Sequence, residues 1–207
     1  MTFRYATLPY DRRVSETQAR IDPRITESRR RVLTATLEEL GEVGYGAFAI
    51  ESVSRRSGVA KSTIYRHWPG KLAMVADALR ALNVQPGSGG GSGSPDPDPR
   101  TRVVRLVEHL ATGFAGESAV AACTPALVDA AERDVDLRDL FHEYAAQRRH
   151  ALVEAVADGA AAGAFPVTVD PELAAAALAG AVMYRRLMTP VPLHPADAEA
   201  LVDTVLG

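Results

Sequence analysis

The sequence predicts an all-α protein in two helical parts, and three observations carry that prediction. Apolar residues recur at the three- and four-residue spacing of amphipathic helices and nowhere alternate as strand residues do. Two short helical segments meet at Gly58, which gives the N-terminal part the outline of a three-helix helix-turn-helix unit. The stretch Gln-Pro-Gly-Ser-Gly-Gly-Gly-Ser-Gly-Ser-Pro-Asp-Pro-Asp-Pro-Arg, Gln85 to Arg100, has a tether's composition and divides the chain. The expected organisation is therefore an arm over 1–24, a first domain over 25–84, a linker over 85–100 and a second domain over 101–207.

The arm carries Arg4, Arg12, Arg13, Arg20 and Arg24 among polar residues, which suits a DNA groove as well as it suits a disordered tail. Thr26 is fit to cap a first helix that Glu27, Arg29, Arg30 and Arg31 continue. Val32, Leu33, Leu37, Leu40 and Val43 follow at helical spacing; Gly41 and Gly44 weaken the end, and Tyr45-Gly46 stops it. A second helix, about Ile50 to Ser57, buries Ile50 and Val53 and ends at Gly58, a residue free to adopt the left-handed conformation. The third helix, Lys61 to His67, is closed by Pro69-Gly70. Only Val59, Ile64 and Trp68 are apolar enough to pin it to a core.

That leaves Lys61, Ser62, Thr63, Tyr65, Arg66 and His67 as donors within two turns. Such a helix suits phosphates and base edges. Lys61, Ser62 and Arg66 are placed for base edges; Thr63, Tyr65, His67 and Lys71 are placed for phosphates. No carboxylate, thiol or second histidine stands beside them to serve as base or metal ligand. Charge agrees with the reading. Residues 1–83 hold 14 Lys/Arg against 9 Asp/Glu, and residues 84–207 hold 9 against 17, so an anionic partner is drawn to one end only.

Beyond the linker the pattern stays helical. Thr101 to about Gly116 carries Val103, Val104, Leu106, Val107, Leu110 and Phe114 on one face. Thr124-Pro125 reads as the start of a helix to Arg133, Asp136 to Gly163 as the longest helix, Asp170-Pro171 as the start of one to about Met188, and Pro195 as the start of the last. No apolar run reaches the ~18 residues of a membrane span, and the N-terminus has no apolar export segment, so the cytoplasm is the expected compartment. The lone Cys123 excludes an internal disulfide and a cysteine zinc site, and His142 and His150 lack partners for a metal. No cofactor is expected. Asp134, Asp136 and Asp139 cluster where a helix dipole favours acids, and no phosphate loop, nucleophile elbow or metal-ligand pair argues for an enzyme.

Residues 26–72 resemble the DNA-binding domain of the TetR family of transcriptional regulators. The matching elements are Leu33 and Leu37, Gly44-Tyr45, Val53-Ser54, Gly58-Val59, the run Ser62-Thr63-Ile64-Tyr65-Arg66-His67-Trp68, and Lys71 opening a fourth helix. Two positions depart from the family pattern. Ala49 stands where Thr or Ser is usual, so it offers no side-chain cap, and Trp68 stands where Phe is commoner, a modest change of volume. Residues 134–206 are more loosely similar to the family's C-terminal domains, at Asp170-Pro171-Glu172-Leu173-Ala174, Tyr184-Arg185 and Pro192-Leu193.

The resemblance implies a C-terminal ligand-binding and dimerisation domain. Its helices 136–163 and 170–188 would meet their copies in a homodimer through Leu152, Val156, Ala174, Ala177, Leu178, Ala181 and Arg185. By itself a small-residue face is more often internal core than interface. A pocket for a small-molecule effector would be lined by Phe114, Leu127, Phe141, Tyr144 and Met183, with His109, Cys123 and Tyr184 as polar or soft contacts; each also reads as plain core. The implied function is a repressor that holds a palindromic duplex operator and is released by its effector. An activator, or an architectural DNA-binding protein without an inducer, is the alternative.

Overall fold

The computed structural model describes residues 23–82, 98–116 and 118–207; the expected arm over 1–22 and the greater part of the linker, 83–97, lie outside the described residues. The chain runs α1 (Pro23–Ala47), α2 (Ile50–Ser57), α3 (Lys61–His67), α4 (Lys71–Leu82), α5 (Pro99–Phe114), α6 (Ala119–Ala131), α7 (Val135–Ala161), α8 (Pro171–Met188), a 3₁₀ turn (Pro195–Asp197) and α9 (Ala198–Leu206). Among the described residues there is no strand, and none of the helices is long and apolar enough to cross a membrane.

Several helix ends differ from expectation, each for a local reason. The first helix is already formed at Pro23, so Thr26 lies inside it, and it continues past Tyr45 to Ala47 across a break at Gly44. The fifth starts at Pro99 rather than Thr101, because Asp98 accepts the N–H groups of Arg100 and Thr101 and Pro99 sits in the first turn. Pro99 and Arg100 therefore belong to a helix, and Arg100 ties α5 to α9 by pairing with Glu199 at 3.0 Å and with Asp203. Asp134 and Asp170 cap α7 and α8 in the same manner, and α7 ends at Ala161.

The largest correction is at Pro125. It does not begin a helix; α6 starts at Ala119, capped by the Ser118 hydroxyl, and carries Pro125 in its interior. A proline there leaves the carbonyl four residues back without its helical donor. That carbonyl is Ala121, and Arg186 of α8 donates a guanidinium N–H to it at 2.8 Å. The Thr124 hydroxyl similarly donates to the Val120 carbonyl at 2.6 Å.

Two cores result, and they do not follow the linker. The first joins α1–α4 to Cys123, Leu127 and Ala130 of α6 and Leu137 of α7. The second gathers Val103 and Val107, Leu152 and Val156, Leu178 and Val182, and Val202 and Leu206 from α5, α7, α8 and α9. Helix α6 thus lies against the N-terminal unit, so closely that a Cβ on Gly41 of α1 would stand 3.1 Å from the Ala122 side chain. Arg186 is the polar link from α8 back to that helix.

Arg186→Met should cost about 1–3 kcal/mol of stability by leaving a buried acceptor unpaired. The same change should cost less in a Pro125→Ala background, where the backbone supplies the missing donor; equal costs in urea unfolding of the two series would show that the proline is not what Arg186 answers.

Candidate nucleic-acid interface

The third helix is short and rests on one buried strip. Ile64 is fully buried, Trp68 nearly so, and Val59 enters the same core. Gly58 makes the turn, with φ +66 and its N–H donating to the Ser54 carbonyl. A Cβ there would also stand 2.6 Å from the Arg31 guanidinium, which donates to the Ser57 carbonyl. The Ser54 hydroxyl donates to the Val59 carbonyl at 2.7 Å, so both sides of the turn are fixed. Across the other face of α2, Arg56 bridges to Glu42 at 2.6 Å and to the buried Glu39 at 3.3 Å, clamping it to α1.

The opposite side of α3 faces solvent. Lys61, Ser62, Tyr65, Arg66 and His67 are exposed and Thr63 is half-buried. Lys61 pairs with Glu51 of α2 at 3.1 Å. A backbone hydrogen bond, then the Lys61 contact, hold the Glu51 carboxyl below its ordinary value. Ala49 and Ala60 precede α2 and α3 without a side-chain cap. Lys71 departs from the free, phosphate-facing residue expected: its ammonium donates to the Tyr45 carbonyl at 3.3 Å and lies 4.2 Å from the centre of the Tyr45 ring.

One junction escaped the sequence reading. The Trp68 indole N–H donates to Asp77 of α4 at 2.9 Å, and Arg29 of α1 reaches the same carboxylate at 2.7 Å. Arg29 also lies 6.0 Å from the Trp68 ring centre. Trp68 is thus more than a change of volume: it brings a donor that phenylalanine lacks, and the C-terminal end of α3 is bonded to α1 and α4 at one point.

Comparison with known proteins bears directly on this unit. Residues 32–78 match the model for bacterial regulatory proteins of the tetR family, and residues 96–205, more than half the chain, match the tetracyclin repressor-like C-terminal domain. The chain belongs to the TetR family of transcriptional regulators. An uncharacterized HTH-type transcriptional regulator of Mycobacterium tuberculosis is 27% identical over 197 residues, 89% of this chain and 86% of its own. The TetR family transcription regulator SCO0332 is 30% identical, with a TM-score of 0.59 over 86% of this chain and 96% of its own. The regulator FadR of Bacillus subtilis, solved with stearoyl-CoA, shares the fold at 15% identity, with a TM-score of 0.64 over 86% of this chain and 97% of its own. As a TetR-family regulator the protein carries a DNA-binding helix-turn-helix, and the family is one of regulators, not of enzymes.

Among the described residues, those expected around an effector divide between the two cores. Phe114 lies in the second core, Cys123 and Leu127 in the first; Phe141 and Tyr144 pack against the first, Met183 against the second. Burial pushes the Cys123 thiol up to about 11, so it stays protonated and inert. Tyr184 is 62% exposed on the outer face of α8, because the residues that turn inward there are Leu178 and Val182. His109 opens on a slot of about 30 Å³ shared with Leu106, Leu110, Arg148 and Leu152, and Tyr144 on a separate one shared with Leu79, Leu140 and Gln147.

The expected dimer contacts divide as well. Leu152, Val156, Ala174 and Leu178 are buried in the second core, since their faces of α7 and α8 pack on α5 and α9 of the same chain. Ala177 and Arg185 are exposed and Ala181 half-buried. They share the outside of α8 with three large exposed side chains, Leu173, Tyr184 and Met188.

Trp68→Phe should cost about 1.5–3 kcal/mol, the range for a hydrogen bond to a charged group. Combined with Asp77→Ala it should cost little beyond Asp77→Ala alone, because both changes delete the same bond. Simple additivity of the two in urea unfolding would contradict the junction.

Proposed function

We propose that the protein is a repressor that binds a palindromic operator as a homodimer and is released by a small molecule. The observation that carries this reading is the donor-rich outer side of α3, pinned from behind by Ile64 and Trp68. Phosphate contacts from Thr63, Tyr65 and His67 set register, and base-edge contacts from Lys61, Ser62 and Arg66 set sequence. Lys71 joins them only by leaving Tyr45. Repression is supported by the tetracyclin repressor-like match of the C-terminal part, and effector binding by FadR, a relative in fold that was solved with stearoyl-CoA.

The dimer reading rests on α8. Leu173, Ala177, Ala181, Tyr184 and Met188 recur at helical spacing and stay outside the protomer's cores, with Leu173 and Met188 each 70% exposed. Such a stripe is costly in water and is covered when two copies meet across a two-fold axis. A palindromic operator needs that same axis.

Selection from a pool of random duplexes should return one inverted repeat. On it, Arg66→Ala should lose about 1–3 kcal/mol and relax sequence preference; wild-type binding that is equal for every duplex at moderate salt would end the reading. Ala177→Glu should convert the dimer to a monomer in light scattering, since the charge meets its own copy across the axis. A wild-type monomer at micromolar concentration would refute the dimer outright.

A further inference from the structure

Glu51 puts a carboxylate beside the recognition helix of a protein whose partner is a polyanion. It is the only acid of α2, α3 has none, and it lies 3.1 Å from the Lys61 ammonium. Both side chains are open to water, Lys61 at 52% and Glu51 at 47% exposure. An ion pair so exposed contributes little to folding, so stability does not account for it. Toward a duplex the acid alone is unfavourable, because it repels phosphates. Yet the carboxylate is fixed twice, by a backbone hydrogen bond at Glu51 itself and by Lys61. Ala49 and Ala60, which precede the two helices, are too short to stand between this pair and a base edge.

We infer that Glu51 and Lys61 act together as the reader of one G·C base pair in each half-site, Lys61 donating to guanine O6 and N7 and Glu51 accepting from the cytosine N4 amino group. This deepens the operator-binding reading above and rests on it. A carboxylate only accepts and an ammonium only donates, so the pair presents an acceptor and a donor side by side. In the major groove a G·C pair presents the complement, two guanine acceptors with the cytosine donor next to them. An A·T pair in the same orientation sets the adenine amino group against Lys61 and thymine O4 against Glu51, so both contacts become repulsive. A C·G pair does the same with cytosine N4 and guanine O6. A T·A pair keeps O4 for Lys61 and an amino group for Glu51, but it has no N7 on the Lys61 side and adds a methyl group. The order of preference is therefore G·C, then T·A, then the other two. Rejection of the wrong pairs is what the acid supplies and the donors of α3 cannot.

Competition binding to the selected operator, changed one base pair at a time, tests this. One symmetric position per half-site should prefer G·C over A·T and C·G by about 5- to 150-fold, the span of one good base contact, with T·A between. Glu51→Ala should abolish the rejection of A·T and C·G at that position and leave every other position as in wild type. It should also tighten binding to unrelated duplexes at low salt, because a charge of the phosphates' own sign has gone. Lys61→Ala should remove the preference for G·C over T·A at the same position. A cytosine analogue without its 4-amino group should weaken wild-type binding and leave Glu51→Ala unaffected. Unchanged preferences at the remaining positions show that both variants are folded and docked.

If Glu51→Ala alters no base preference, the carboxylate is only a surface partner of Lys61 and the inference is wrong. It is equally wrong if the two variants act at different positions, or if their shared position prefers a pair other than G·C. Each of these results leaves the operator reading standing. If the wild type binds every duplex alike, that reading fails and this inference falls with it.

Discussion

The Asp77 carboxylate receives the Trp68 indole from the end of α3 and the Arg29 guanidinium from α1, and the pose of the whole outward surface of α3 depends on that junction. A helix of seven residues has too few internal hydrogen bonds to hold itself. It is held by what lies behind it: Ile64 and Val59 in the core, Gly58 in the turn, and at the far end a bond to a half-sheltered carboxylate. Because that carboxylate belongs to α4, the recognition surface cannot shift independently of α4. The DNA-facing unit is rigid toward solvent and answerable to one neighbouring helix.

From α4 the dependence continues into the rest of the molecule. The Arg56 clamp and the Tyr45–Lys71 contact keep α1, α2 and α4 as one body, while α6 and the start of α7 complete the first core. Helix α7 crosses from that core to the second one, with Leu137 in the first and Leu152 and Val156 in the second. Arginines from the second body's helices reach across the boundary, Arg148 to the end of α4 and Arg186 to the α6 carbonyl orphaned by Pro125. A guanidinium tolerates small changes in angle better than interlocked side chains do, and both links are arginines.

The N-terminal unit was legible in the sequence because its signals are local. A glycine at the αL position, apolar residues four apart and a run of donors are all read within fifteen or so residues. The cap pairs Asp170-Pro171 and the end near Met188 were legible for the same reason. Pro125 misled because a proline after a threonine does resemble a helix start; what accommodates it inside α6 is Arg186, 65 positions from the Ala121 carbonyl to which it donates. Which residues of α8 face outward was legible only in part, because alanine carries little contrast between inside and outside. Ala174 and Ala177 look alike in sequence, yet one is buried and the other exposed. The Asp77 junction was missed because nothing in Trp68 as a residue type announces where its N–H goes. Spacing locates helices and turns; it does not say which distant side chain completes a hydrogen bond.

The central claim is that two copies of α3, fixed on rigid units, read two halves of one duplex. Hydroxyl-radical footprinting of the selected duplex tests it most directly. The account predicts two protected half-sites related by a dyad, their centres about one helical turn of DNA apart, or somewhat more if the duplex is unwound. A single protected patch without a dyad, or uniform protection along the fragment, would contradict it.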